Sequence, residues 1–161
     1  RQGMMGAALE SDIYCEAICD GRHLHPGSVR MLLKCKGWDK VVAITDSIQA
    51  AGLPDGNYKL GVNDVVVVDG DAKLASTGVR AGSTLSQDTA LRNLMAFTGR
   101  GAEDVLPLLT ENPARLMGIF DRKGSIEAGK DADLVVLDEA WQVRRTVVGG
   151  KTVYQTGPNG K

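Results

Sequence analysis

The sequence predicts an α/β fold of short strands and helices, and three features carry that expectation. The first is a strand, helix, strand succession: the apolar run "DIYCEAICD" (12–20), the helical text "PGSVRMLLKCKG" (26–37) and the β-branched run "DKVVAITD" (39–46). With short joints, that order is the signature of a parallel βαβ unit. The second is a tail, "KGSIEAGKDADLVVLDEAWQVRRTVVGGKTVYQ", in which apolar β-runs alternate with Gly-Gly and Gly-Lys turns. The third is composition: 20 glycines in 161 residues with only 4% aromatics favour many tight turns over a long helical bundle.

Taken in order, residues 12–20 read as a strand buried on both faces, being apolar without alternation and bounded by polar residues. In the next segment Pro26 stands near a helix start, Val29, Leu32 and Leu33 fall at helical spacing, and Gly37 marks the stop. The following run ends in a carboxylate, Asp46. "SIQAAGLPDGNYKLG" then reads as turn-rich text, and "VVVVDGDAKLA" as a hairpin about Asp69-Gly70. "STGVRAGSTLSQD" is a second loop, leading to a helix with Ser86 and Asp88 as capping candidates and an apolar stripe of Leu91, Leu94 and Met95. "GAEDVLPLLTENPARLMGI" supplies two further helical pieces, expected to break at Asn112-Pro113 because proline disfavours helix in the residue before it. No internal repeat or low-complexity segment is visible.

Several function classes drop out. A net charge of −1 provides no basic excess for nucleic acid, and no apolar run is long enough to cross a membrane. Three cysteines, Cys15, Cys19 and Cys35, argue against a disulfide framework and for a reducing compartment.

Two features point to chemistry. In "DGRHLHP" the only two histidines, His23 and His25, stand as His-x-His. On a strand both would face one way and could meet one ion. Alternatively one lines a pocket and the other is peripheral, since a catalytic metal commonly takes three protein ligands. The second feature is position. In parallel sheets ligands gather beyond the carboxyl ends of the strands, and His23 and Asp46 both stand just past such ends. Asp46 can equally be read as a helix or turn cap.

Four segments together, "ITDSIQAAGLPDGNYKLG", "GSTLSQDTALRNL", "NPARLMGIFDRKGSIEAGKDADLVVLD" and "DGRHLHP", resemble the C-terminal portion of the N-acetylglucosamine-6-phosphate deacetylases of the amidohydrolase superfamily. The tail is similar to many amidohydrolases, whereas "TD…AAGLPDGNYKLG" with "DGxHxHP" is closer to the deacetylases. What the resemblance implies is the last part of a (β/α)8 barrel, strands seven and eight with their helices, over residues 1–118. Strands of a small β-sandwich would follow over 119–161. It implies a cytoplasmic homo-oligomer, a dimer, that uses a divalent metal such as zinc to hydrolyse an N-acetylated amino-sugar phosphate. The metal's glutamate and histidines would precede Arg1, so none is expected among these residues. The chain is expected to be a fragment, inert by itself. Alternatives are another amidohydrolase, dihydroorotase-like or acting on aryl amides.

By the same resemblance Asp46 matches the catalytic aspartate, His23 a substrate-contacting histidine, and Arg80-Ala81-Gly82 a loop lying against the substrate. An ordinary turn remains the other reading of that loop. Arg1 matches a phosphate-binding arginine ahead of "GMMGA", though one residue fewer than usual separates it from the glycine. Either Arg1 is that arginine or the true one lies upstream. His25 carries no assigned role.

Overall fold

The computed structural model describes residues 3–157. A short helix α1 (Met4–Glu10) leads into strand β1 (Cys15–Ile18), helix α2 (Pro26–Lys36) and strand β2 (Val41–Ile44). The two strands pair in parallel, Cys15 opposite Val41 through Ile18 opposite Ile44, so the expected βαβ unit is present. In β2, Val41, Val42 and Ala43 are all buried, as a strand covered on both faces requires; β1, for which that burial was expected, instead exposes Glu16 and buries only Ala17. Proline stands in the first turn of α2, where its missing N–H has no helical partner, and His25 Nδ1 accepts the Gly27 amide at 3.0 Å as the N-cap. Gly37, at φ 88°, ends the helix and returns its amide to Leu33. Lys36, in the last turn of α2, donates its ammonium to the carbonyls of Ala8 and Ser11. Those are orphan acceptors at the end of α1, and a cation is the favoured partner there.

Helix α3 (Gln87–Thr98) lays Leu91 and Leu94 into the core with Val29, Leu33, Val41 and Ala43, as its stripe predicts. Ser86 occupies the N-cap position, but its hydroxyl meets Thr89 Oγ1 at 2.9 Å instead of a backbone amide. Helix α4 (Ala102–Val105) runs into a 3₁₀ turn (Leu106–Leu108), and α5 (Glu111–Leu116) follows. The break therefore precedes Glu111 and does not fall at Asn112-Pro113. Pro113 sits in the first turn of α5, where no intrahelical acceptor awaits its nitrogen. The buried Asn112 is locked there by donating to Trp38 O at 2.6 Å and Val41 O at 2.7 Å, which outweighs the local preference.

Between β2 and α3 lies an antiparallel meander of β3 (Gly56–Leu60), β4 (Asn63–Val68) and β5 (Asp71–Leu74). The β4–β5 hairpin turns at Asp69-Gly70 as expected, with φ 51° and 71°. The Asp55 carboxylate receives both turn amides. Ile48, Ala50, Val65, Val67, Ala72 and Ala81 form a second small core under this meander. Strand β3 was not expected, because "GNYKL" has few apolar residues and most of it is exposed.

The tail forms a third sheet, β6 (Leu134–Leu137), β7 (Val143–Val148) and β8 (Lys151–Gln155), antiparallel in sequence order. Leu137 and Trp141 reach the main core, and Arg92 of α3 donates to Trp141 O at 2.8 Å. Val135 and Val153 remain 57% and 61% exposed. No described helix is long and apolar enough to cross a membrane.

Candidate active site

The carboxyl ends of β1 and β2 meet a loop, residues 80–84, that follows the meander. Past β1 the chain does not continue as a strand. Asp20 Oδ1 accepts the amides of Arg22 and His23, both at 2.8 Å, and Oδ2 lies 2.7 Å from His23 Nδ1. This Asx-type turn needs Gly21 at φ 74°, where a Cβ would also come within 3.3 Å of the Phe97 ring. The carboxylate fixes the imidazole with its proton on Nδ1. Nε2 has no hydrogen-bond partner among the described residues. Burial pushes the Asp20 carboxyl up, but the two amides and the imidazole outweigh it and hold the group below its ordinary value.

The His-x-His pair is therefore not a strand pair facing one ion. His23 is held by Asp20, whereas His25 caps α2. No group of three or more His, Cys, Asp or Glu among the described residues is placed to hold a metal. Cys19 is fully buried, and burial, helped by the Asp20 charge, pushes its thiol up to about 12. It is inert core.

Asp46 stands two residues past β2 in the left-handed region, φ 48°, and is exposed. Its carboxylate caps nothing among the described residues, so the cap reading finds no bond. Its backbone is held by the loop: Ser83 donates its amide to Asp46 O at 2.8 Å, Ile48 donates to Ser83 O at 2.9 Å, and the Ser83 hydroxyl bonds Thr45 O. Gly82 lies directly against this strand end. A Cβ there would fall 2.6 Å from Ile48 Cγ2 and 2.9 Å from Asp46 O, with φ already at 62°. Gly82→Ala is therefore expected to destabilise the fold by about 1–3 kcal/mol and to displace Asp46, as read by urea midpoint and by activity together. An unchanged midpoint would contradict the packing described.

Ala81 is buried in the second core and donates its amide to Ala72 O at 3.0 Å. Arg80 is engaged by the protein itself. Its Nε and Nη2 donate to the two oxygens of Asp71 at 2.7 and 3.1 Å, and Nη1 donates to Arg22 O at 3.1 Å. Arg22 in turn donates to Asp69 O at 2.6 Å, and Lys73 Nζ lies 3.0 Å from Asp71. The Arg80 guanidinium, followed by Lys73, holds the Asp71 carboxyl well below the usual carboxylate range. Asp20 and Asp71 thus share a sign. Both folded-state values lie below the unfolded ones, near 4, so their stabilisation is complete above that value and lost as pH falls through the lower folded values. Melting temperature is expected to hold down to about pH 5 and then drop, less steeply in Asp71→Asn. Equal steepness in the variant would remove Asp71 from the acid response.

A cleft of about 320 Å³ runs beside this rim, lined by Asp20, Arg22, Thr84, Ser86, Thr89 and Asn93. A larger hollow of about 470 Å³ lies at the opposite end of the strand pair, against Trp38, Asp39 and Arg100. It holds none of the candidate site residues His23, Asp46 and 80–82. The structure thus brings Gly82 to Asp46, and Arg80 to the loop of His23. Arg1 lies outside the described residues. Sequence reading missed Asp20, although the Asp-Gly-x-His spacing of an Asx turn could have shown it, and Asp71, for which no local signal exists.

The sequence profile of the amidohydrolase family matches residues 4–153. The N-acetylglucosamine-6-phosphate deacetylase of Bacillus subtilis is 40% identical over 94% of this chain and 38% of its own length. A putative N-acetylgalactosamine-6-phosphate deacetylase of Escherichia coli K12 is 38% identical over 92% of this chain and 89% of its own. The crystal structure of the Thermotoga maritima N-acetylglucosamine-6-phosphate deacetylase superposes with a TM-score of 0.88 at 39% identity, over 96% of this chain and 42% of that one. The chain thus spans about two-fifths of the Bacillus and Thermotoga proteins.

Proposed function

The chain belongs to the amidohydrolase family, and on that premise we propose that it is the C-terminal part of an N-acetylglucosamine-6-phosphate deacetylase. Residues 1–118 then complete a (β/α)8 barrel and 119–161 contribute strands of a small β-sandwich. The observation that carries the reading is the seating of Gly82 and Ser83 on the backbone of Asp46. It sets a carboxylate that caps nothing at a strand end, where α/β enzymes work.

Water adds to the acetamide carbonyl and the C–N bond breaks, giving acetate and the free amine. Asp46 accepts the proton that the attacking water loses and delivers it to the departing nitrogen. His23 contacts the sugar through Nε2, and the backbone of Ala81 and Gly82 lies along it, glycine permitting the close approach. The proposal includes a divalent metal, zinc or similar, but the described residues supply no donor set for one. A cytoplasmic dimer belongs to the same proposal.

Relatives act by name on the N-acetylglucosamine or the N-acetylgalactosamine phosphate, so the substrate's C4 configuration is the point to test. Steady-state kinetics of the full-length enzyme on both epimers are expected to give the higher kcat/KM with N-acetylglucosamine 6-phosphate. A preference for the other epimer would move the assignment between these sister activities. Turnover of neither would reject it.

A further inference from the structure

The Arg80 side chain points to a role that the deacetylase reading, on which this inference rests, does not include. Its three donor nitrogens are all spent on protein acceptors, two on Asp71 and one on the carbonyl of Arg22. That carbonyl belongs to the peptide joining Arg22 to His23. The N–H of the same peptide donates to Asp20 Oδ1 at 2.8 Å. One peptide plane, immediately before the imidazole, is therefore gripped on both sides. Asp20 grips from the buried side and takes the ring as well; Arg80 grips from the meander side. We propose that Arg80, aimed by Asp71, is a positioning residue that sets the direction of His23, and that its side chain makes no contact with substrate.

The chemistry suits the task. A guanidinium is a rigid fork, so two bonds to one carboxylate leave its remaining nitrogen in a fixed direction. Asp71 is buried at the start of β5, next to a turn whose amides Asp55 holds. Arg22 adds a return bond, its guanidinium on Asp69 O at 2.6 Å, so the His23 loop and the hairpin are tied in both directions. Arg80 is also continuous with Ala81 and Gly82, which lie on the Asp46 strand end. The clamp thus links the placement of His23 to that of Asp46, and misplacing a binding group by an ångström can cost about 100-fold in rate.

The test is a double-mutant cycle in the full-length enzyme with N-acetylglucosamine 6-phosphate, pairing Arg80→Ala with His23→Ala. Arg80→Ala alone, and Asp71→Asn alone, are expected to lower kcat/KM by about 10- to 100-fold. In the His23→Ala background, adding Arg80→Ala is expected to cost less than about twofold, because the residue it positions is gone. Arg80→Lys, which keeps charge and bulk, should recover little, since an ammonium cannot hold both Asp71 oxygens and the carbonyl. It also serves if Arg80→Ala does not fold. Losses that multiply in the double variant, or full activity in Arg80→Lys, overturn the clamp. A second readout is independent of substrate: the ¹⁵N signals of the His23 ring in the unliganded enzyme should move in Arg80→Lys, and unmoved signals overturn the clamp too. An enzyme that does not turn over N-acetylglucosamine 6-phosphate, with ring signals that still respond to Arg80→Lys, would instead uphold the clamp and count against the deacetylase reading.

Discussion

Asp46→Asn in the full-length enzyme is expected to lower kcat for deacetylation by about 10²- to 10⁴-fold, the usual contribution of a positioned acid–base group, while KM stays within a few-fold. The substitution removes the proton acceptor and little else. Asn is nearly isosteric with Asp and tolerates the left-handed backbone at φ 48°. The bonds that hold this strand end run through backbone atoms of residue 46, not through its carboxylate: Ser83 N–H to Asp46 O at 2.8 Å, with Ile48 and Thr45 bonded to Ser83. Fold and substrate affinity should therefore survive, and the loss should appear in the chemical step. Near-normal turnover would sink the assignment of Asp46.

His23→Ala should behave differently, raising KM and lowering kcat together, with a combined loss of about 10-fold or more for one hydrogen-bonding group that also orients the sugar. It also strips Asp20 of its imidazole partner. The Asp20 side chain is only 9% exposed, so leaving it with two amides alone should cost about 1–3 kcal/mol of stability. Thermal melts and steady-state kinetics on one preparation separate the two effects. Bound divalent metal in the full-length enzyme should be unchanged, and its loss would make His23 a ligand instead of a sugar contact.

Much of this arrangement is legible in the sequence. The βαβ unit followed from an apolar run and a β-branched run about a helix with proline at its start and glycine at its stop, and those signals act locally. The Asp69-Gly70 hairpin was equally local. What escaped depends on contacts between distant segments. Pro113 sits inside a helical turn because Asn112 reaches across to Trp38 and Val41, and nothing near position 112 announces that. Strand β3 is mostly exposed and recruited by its neighbour β4, so its own pattern is faint. In the site, His23 and Asp46 could be placed by strand-end logic alone. His25 could not be told from His23 by spacing, because a turn and a helix cap stand there and not a strand. The commitment of Arg80 to Asp71, nine residues away across a bridge between Lys73 and Arg80, was invisible in the text. Resemblance singles out this loop without revealing which of its atoms are available.

The most direct test of the account is a crystal structure of the full-length Asp46→Asn variant with N-acetylglucosamine 6-phosphate bound. The account predicts the acetamide group facing residue 46, with the sugar in hydrogen-bond contact with His23 Nε2 and the backbone of Ala81 and Gly82, and with Arg80 still on Asp71. A sugar seated elsewhere, for example in the hollow by Trp38 and Arg100, with no contact to His23 or Gly82, would contradict it.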